Sequence, residues 1–232
     1  MTAIRDLPMT ETREELGIDD EFAPLRRRLE AQRGLEFVKR CIDLLAASIG
    51  LLLFLPLLPF VAALVKLESR GPLFFAQQRV GRYGRVFTCY KIRSMVVDAE
   101  ALKEELGHLN EADGAAFKIR EDPRVTRVGK FVRRSSLDEF PQLFNVLRGD
   151  MSIVGPRPQI PAEVDDYAPG HRVRLLVKPG LTCLWQISGR NDVDFEEWMR
   201  LDREYVERRS LGLDISILLR TLPAVVQRIG AY

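Results

Sequence analysis

The 232-residue sequence predicts a membrane-associated α/β domain, mostly helical, with a re-entrant membrane helix, amphipathic interfacial helices and a small hairpin or sheet. Three observations predict it. An uncharged stretch at residues 44–65 is broken by Pro56 and Pro59; two alternating segments flank a Gly-Arg-Tyr-Gly turn at residues 81–84; and apolar residues recur at helical spacing through much of the remainder. The length is within the range of one domain and suffices to bury a core. The net charge of +2 says little, but its distribution says more, because basic residues crowd the flanks of the uncharged stretch. No nucleic-acid partner is expected.

Residues 1–33 mix acidic and basic side chains, lack the apolar core of a signal peptide and include Arg26, Arg27 and Arg28. They read as a polar extension, partly disordered, with basic contact to anionic lipid as their one supported role. The 22 uncharged residues that follow at 44–65 would form an unbroken helix about 33 Å long, against a hydrocarbon core of about 30 Å. Each central proline, however, costs about 3 kcal/mol inside a regular helix, and together they leave two halves too short to cross. The segment is therefore expected to bend back at Pro56 and Pro59, freeing the carbonyls of Leu52 and Leu55. Six cations precede it (Arg26, Arg27, Arg28, Arg33, Lys39, Arg40) and five follow (Lys66, Arg70, Arg79, Arg82, Arg85), so both ends read as cytoplasmic. The alternative is a spanning helix kinked at proline.

Residues 73–78 and 86–92 read as the two strands of a hairpin. Alternation places Lys91 and Arg93 on one face, either to meet phosphates and lipid head groups or simply as a solvated face. Residues 96–110 carry Leu102, Leu106 and Leu109 at helical spacing among charges, the pattern of an amphipathic surface helix.

The stretch at residues 133–158, RRSSLDEFPQLFNVLRGDMSIVGPRP, places two adjacent carboxylates before a short apolar helix and an arginine between two prolines. Pro141 fits a helix only within its first positions, which puts the N-cap at Asp138 or later and Asp138 and Glu139 at the positive end. Leu143, Phe144 and Leu147 are expected to bury one face, and Gly149 to stop the helix. A carboxylate there is stabilised in its ionised form, which suits a nucleophile or a metal ligand. It equally suits a helix cap: Ser135 with Asp138 and Ser136 with Glu139 both match the capping-box spacing, and local pattern alone favours that reading. Arg157, with proline on both sides, has little backbone freedom, and its planar fork can grip two phosphate oxygens or a surface carboxylate. Arg133 and Arg134 add charge near the carboxylates, as a site handling metal-bound phosphate requires.

Further on, Asp192 and Asp194 superficially resemble the paired aspartates of an aspartyl-phosphate phosphatase, but no apolar strand precedes them, and Asp194 with Glu197 fits a helix cap better. Phe195, Trp198, Met199, Tyr205 and Val206 form a helical stripe. The apolar run at residues 211–229 is interrupted by Asp214, Arg220 and Pro223, so neither segment reads as a span, and each fits the membrane interface or the core. Cys41, Cys89 and Cys183 are odd in number and far apart, which argues against disulfides or a cysteine metal site and fits a reducing compartment. Cys183 reads as a packing residue. His108 and His171 show no metal-ligand spacing.

The segment SSLDEFPQLFNVLRGDMSIVGPRP resembles the signature of the bacterial monotopic phosphoglycosyl transferases, the polyprenyl-phosphate sugar-1-phosphate transferases of the bacterial sugar transferase family. The likeness extends to Gln78, Arg79 and Gly81, to KIRSM at residues 91–95, DPRVTRVGKFVRR at 122–134, KPGLTCLWQISGRN at 178–191 and DREYVERRSLGLD at 202–214. It covers roughly residues 35–222 in consistent order. One departure is Leu55, where family members often have serine before the break-point proline.

The resemblance implies transfer of a sugar 1-phosphate from a nucleotide diphosphosugar, expected as a UDP-sugar, to polyprenyl (undecaprenyl) phosphate, initiating lipid-linked glycan or exopolysaccharide assembly. It implies a covalent phosphosugar intermediate on Asp138, Mg²⁺ held by Glu139, and Arg133, Arg157 and Arg190 binding substrate phosphates; Lys91, from its strand face, is a further candidate for phosphate binding. It also implies placement at the bacterial inner membrane with membrane lipids as partners and catalysis on the cytoplasmic face; self-association stays open. The expected divisions are residues 1–33 as extension, 34–67 as the re-entrant membrane-helix region, and 68–232 as the catalytic region forming one domain with that helix. Two other classes remain: a membrane-associated aspartyl phosphatase, which would release inorganic phosphate, and a non-catalytic protein bound to anionic membranes, which would show no metal-dependent turnover.

Overall fold

The computed structural model describes residues 21–111, 119, 121–188 and 193–226. Helix α1 (Ala23–Ala31) starts with Pro24 in its first turn, where a missing N–H costs nothing, and buries Leu29. Phe22, Leu25 and Leu29 pack into the main core with Val154, Leu176 and Tyr205. This corrects the reading of residues 21–33 as a polar extension: the apolar spacing is there, diluted by arginines. Residues 1–20 lie outside the described residues.

Helix α2 (Arg33–Phe54) and helix α3 (Leu58–Glu68) meet at a 62° bend, and among the described residues no single helix is long and apolar enough to cross a membrane. The break falls at Pro56 as expected. Pro59, by contrast, sits in the first turn of α3 and disrupts nothing there. The Leu55 carbonyl is not left free either, since Leu58 N donates to it at 3.3 Å and Leu57 N bonds Phe54 O at 2.9 Å. One side of the pair is apolar and exposed, with Leu52, Leu53 and Phe60 each about 70% accessible. The other side is keyed into the protein. Lys39 Nζ donates to Val154 O (2.9 Å) and Asp214 Oδ2 (2.7 Å), Asp43 Oδ1 accepts from Ser152 Oγ (3.0 Å) and Ile153 N (2.9 Å), and Arg40 donates to Val146 O (2.6 Å) and Leu147 O (2.7 Å). Of the six cations counted before the uncharged stretch, Lys39 and Arg40 thus have internal partners, as do Arg28, which donates to Glu207 O, and Arg26, which pairs with Glu30.

Strands β1 (Phe74–Val80) and β2 (Val86–Ile92) form the expected antiparallel hairpin, with Phe75 opposite Lys91 and Arg79 opposite Phe87. Its turn uses positive φ at Tyr83 (58°) and Gly84 (76°). Arg93, just past β2, is occupied within the protein, for its guanidinium donates to Ser69 Oγ and to the carbonyls of Ser69, Arg70 and Pro72, closing the C-terminal end of α3. Helix α4 (Ala99–Glu105) is shorter than the expected amphipathic helix and passes into a 3₁₀ turn that leaves Leu109 exposed.

Helix α5 (Arg127–Arg134) and helix α6 (Gln142–Arg148) flank the central motif. Strands β3 (Ser152–Val154) and β4 (Gly180–Thr182) form a parallel pair that the sequence reading missed, because three residues are too few to display alternation. Between them lie helix α7 (Pro161–Asp165) and a 3₁₀ helix (Pro169–Leu176). Helix α8 (Leu184–Ile187) is followed by helix α9 (Phe195–Arg208), which Asp194 caps by accepting from Glu197 N at 2.7 Å. α9 buries Met199, Tyr205 and Val206, which settles its stripe as core, whereas helix α10 (Leu211–Val226) buries Ile217 and exposes Ile215 and Leu219. The three cysteines are free, and Cys183 is fully buried.

Candidate active site

The local sequence around the carboxylate pair prevents one continuous helix. Helix α5 ends at Arg134, the Ser135 hydroxyl turns back to Phe131 O (2.8 Å), Ser136 adopts a left-handed φ of 55°, and Leu137–Glu139 forms a 3₁₀ turn. Pro141 stands at the N-cap of α6, within the expected range of Asp138 or later, and neither serine forms the capping box. The buried face of α6 holds Leu143 and Val146, while Phe144 is 50% exposed, contrary to the sequence reading. Gly149 ends the helix in the left-handed conformation, φ 89°. Phe140 stacks on Phe54 at 4.7 Å, tying the turn to the bend of the α2–α3 pair.

Asp138, 9% exposed, and Glu139 face a cavity of about 800 Å³ that is also lined by Arg79, Lys91, Arg133 and Arg157. Arg157 Nη1 donates to Glu139 Oε1 at 2.8 Å and Lys91 Nζ lies 3.5 Å from the same oxygen. Arg133, on the last turn of α5, donates from Nε to Ser94 Oγ at 2.8 Å. Arg79 donates to Pro158 O at 3.0 Å. The structure therefore brings Asp138, Glu139, Lys91, Arg133 and Arg157 to one cavity, whereas Arg190 and Asp192 lie outside the described residues. Arg79 and Ser94 fall within motifs that carry the family likeness but were given no role in the site. Arg79 was findable: hairpin pairing puts residues 75, 77 and 79 on the face of Lys91.

The two carboxylates are driven apart in acidity. Burial alone would raise Glu139, but Arg157 and Lys91 outweigh it and hold the carboxyl down at about 2. Asp138 is raised, by burial and by the charge of Glu139, against the pull of Lys91, Arg133 and Arg157. That is the reverse of the expected helix-end stabilisation, for the helix now starts beyond it. Arg157 is more firmly protonated beside Glu139. Among the described residues no group of three or more His, Cys, Asp or Glu gathers as a complete metal cage. The donor set is two adjacent carboxylates, which suits Mg²⁺ because that ion takes one or two protein carboxylates and completes its shell with water and substrate phosphate.

Residues 34–228 match the model of a family described as bacterial sugar transferase. The chain is 43% identical over 235 residues to the undecaprenyl-phosphate galactose phosphotransferase of Salmonella typhimurium, covering 99% of this chain and 49% of that protein. It is 47% identical over 194 residues to the galactosyl transferase CpsE of Streptococcus agalactiae, covering 83% of this chain and 43% of the relative. The exopolysaccharide production protein ExoY of Rhizobium meliloti is 44% identical over 198 residues, 84% of this chain and 88% of its own length. The chain thus spans less than half the length of the Salmonella and Streptococcus relatives. A family match over most of its length, with relatives above 40% identity, places it: the chain belongs to the bacterial sugar transferase family.

Proposed function

We propose that this protein transfers a sugar 1-phosphate from a nucleotide diphosphosugar, expected as a UDP-sugar, to polyprenyl phosphate, initiating lipid-linked glycan or exopolysaccharide assembly. The observation that carries this reading is the Asp138–Glu139 pair, Asp138 buried and Glu139 half-buried, at a cavity ringed by Lys91, Arg133 and Arg157. The names of the relatives, which act on undecaprenyl phosphate or in exopolysaccharide production, support the same class.

In the first step a carboxylate oxygen of Asp138 attacks the sugar-linked phosphorus; an O–P bond forms, the bond to the nucleotide phosphate breaks, and nucleoside monophosphate leaves with the electron pair. In the second, an oxygen of polyprenyl phosphate attacks the same phosphorus and frees the Asp138 carboxylate. Arg157, Arg133 and Lys91 offset phosphate charge inside a cavity whose partial burial strengthens each interaction. Glu139 would hold Mg²⁺ with Asp138 beside it, and the ion would supply positive charge that favours ionised Asp138 and offsets charge on the leaving phosphate. The α2–α3 pair is read as re-entrant, its exposed apolar side in the inner membrane and the cavity on the cytoplasmic side.

Incubation of purified protein with Mg²⁺ and a panel of nucleotide sugars, without lipid acceptor, tests the scheme by intact mass. A phosphosugar adduct on the wild type that is absent in Asp138→Asn is expected. Adduct persisting in that variant, or turnover that always needs both substrates together, would refute the two-step scheme. Release of inorganic phosphate in place of lipid-linked product would favour a phosphatase.

A further inference from the structure

Four consecutive carbonyls at residues 156–159 each accept a hydrogen bond from a separate donor. Gly180 N donates to Pro156 O (2.9 Å), Arg174 Nη2 to Arg157 O (2.7 Å), Arg79 Nη1 to Pro158 O (3.0 Å) and Val80 N to Gln159 O (2.8 Å). The segment has prolines at 156 and 158, so it offers few N–H groups for a regular ladder, and its carbonyls need donors from elsewhere. β1, β4 and the 3₁₀ helix supply them. The start of the segment is fixed by close backbone packing as well: a Cβ on Gly155 would lie 2.4 Å from Lys178 O, and one on Gly180 only 2.1 Å from Gly155 N.

Two of the four donors, Arg79 and Arg174, are side chains, and Arg174 reaches in from the 3₁₀ helix. It is buried, and besides the Arg157 carbonyl it donates to Gln159 Oε1 and the Tyr167 hydroxyl, lies 2.8 Å from Asp202 Oδ2 on α9, and sits 5.3 Å from the Trp198 ring centre. Asp202 is itself fully buried. A buried ion pair is seldom a net source of stability compared with apolar side chains of the same size, so what this one contributes is position. Its position is specific: Arg174 holds the main chain of the residue whose side chain reaches Glu139.

We propose that Arg174, held by Asp202, is a positioning residue that fixes the Arg157 main chain so that its guanidinium meets Glu139 and a substrate phosphate above Asp138. This deepens, and rests on, the functional reading given above. A lysine at 174 keeps the charge for Asp202 but lacks the planar fork that reaches several acceptors at once.

The test uses the full chain in lipid nanodiscs. In Arg174→Lys, hydrogen exchange across residues 154–160 should quicken roughly tenfold while strand β2 (Val86–Ile92) stays protected. Turnover should fall roughly tenfold to a hundredfold, and Arg157→Ala combined with Arg174→Lys should lose no more than Arg157→Ala alone, because both act through one guanidinium. Additive losses would reduce Arg174 to a general structural role and overturn the proposal, as would unchanged exchange at residues 154–160. If Arg174→Lys fails to fold, Arg174→Met with Asp202→Leu removes both charges, leaves neither unpaired, and is subject to the same two readouts. Should the wild type give no adduct and no turnover with any donor, the functional reading falls. Exchange would then decide the hold of Arg174 on the segment by itself, with loosening in its favour and unchanged protection against it.

Discussion

Replacing Gly129 with alanine exposes how the cavity wall is held. Gly129 lies in α5 with an ordinary helical backbone, so its lack of a side chain serves space alone: a Cβ there would sit 1.9 Å from Ser94 O and 2.7 Å from Ser94 C. Both are main-chain atoms that cannot swing aside, so reaching ordinary contact requires α5 and the strand end to part by about 1.5 Å. That movement breaks the Thr126 N to Ser94 O bond (3.1 Å) and the Arg133 Nε to Ser94 Oγ bond (2.8 Å). Overpacking costs about 1–3 kcal/mol and a lost hydrogen bond about 1 kcal/mol, against a gain of about 1 kcal/mol for alanine over glycine in a helix. With both bonds lost, the net is about 3 kcal/mol of destabilisation, or a fall of roughly 9 °C in Tm for a domain of this size. Displacement of Arg133 by such a distance should cost roughly tenfold to a hundredfold in turnover. Thermal unfolding in detergent and donor-dependent turnover measure the two effects. A variant as stable as the wild type, or more so, with full turnover would show that Gly129 is not there for close approach, and the account of how α5 places Arg133 would fail.

Three further outcomes are expected. Glu139→Gln should weaken Mg²⁺ dependence of turnover and free Arg157 and Lys91 from their shared partner; a Mg²⁺ titration identical to the wild type at full activity would remove Glu139 as the metal ligand. Arg157→Lys should lower turnover about a hundredfold with the fold intact, because an ammonium cannot grip Glu139 and a phosphate together, and wild-type kinetics would reduce Arg157 to a loop residue. Pro56→Ala with Pro59→Ala should straighten the α2–α3 pair: Pro59 is harmless in the first turn of a bent pair but interior to a straight one, so together the prolines disfavour the straight form by about 6 kcal/mol. Cysteine labelling near residues 20 and 225 in intact cells reads the result. Equal protection at both sites is expected for the wild type and labelling of the N-terminal site for the double variant, whereas labelling of the N-terminal site in the wild type would make the pair an ordinary span.

Features carried by local chemistry were legible in the sequence. The break at Pro56, the hairpin about residues 81–84, the stop at Gly149 and the Asp194 cap each follow from one residue's backbone or hydrogen-bonding habit. Features set by tertiary partners were not. Serines 135 and 136 matched a capping box, yet the left-handed turn at Ser136 and the N-cap position of Pro141 move the helix start past them. Arg93 and Lys91 alternate alike, but only the carbonyls at the end of α3 reveal that Arg93 is occupied. Arg174 and Asp202 lie 28 positions apart with no shared motif, so their pairing becomes visible only when the 3₁₀ helix packs on α9.

The polar contacts of α2 have a consequence for how such chains can change. Lys39 and Asp43 reach Val154, Ser152, Ile153 and Asp214, so a chimaera that grafted the rest of the chain onto an unrelated helix pair would leave Asp214 and several main-chain groups buried with no counterpart. The helix pair behaves as a key cut for one lock. Transplanting it would require positions 39, 43, 152 and 214 to travel together, whereas its outward leucines and phenylalanines, exposed on the protein, are free to vary in size and shape.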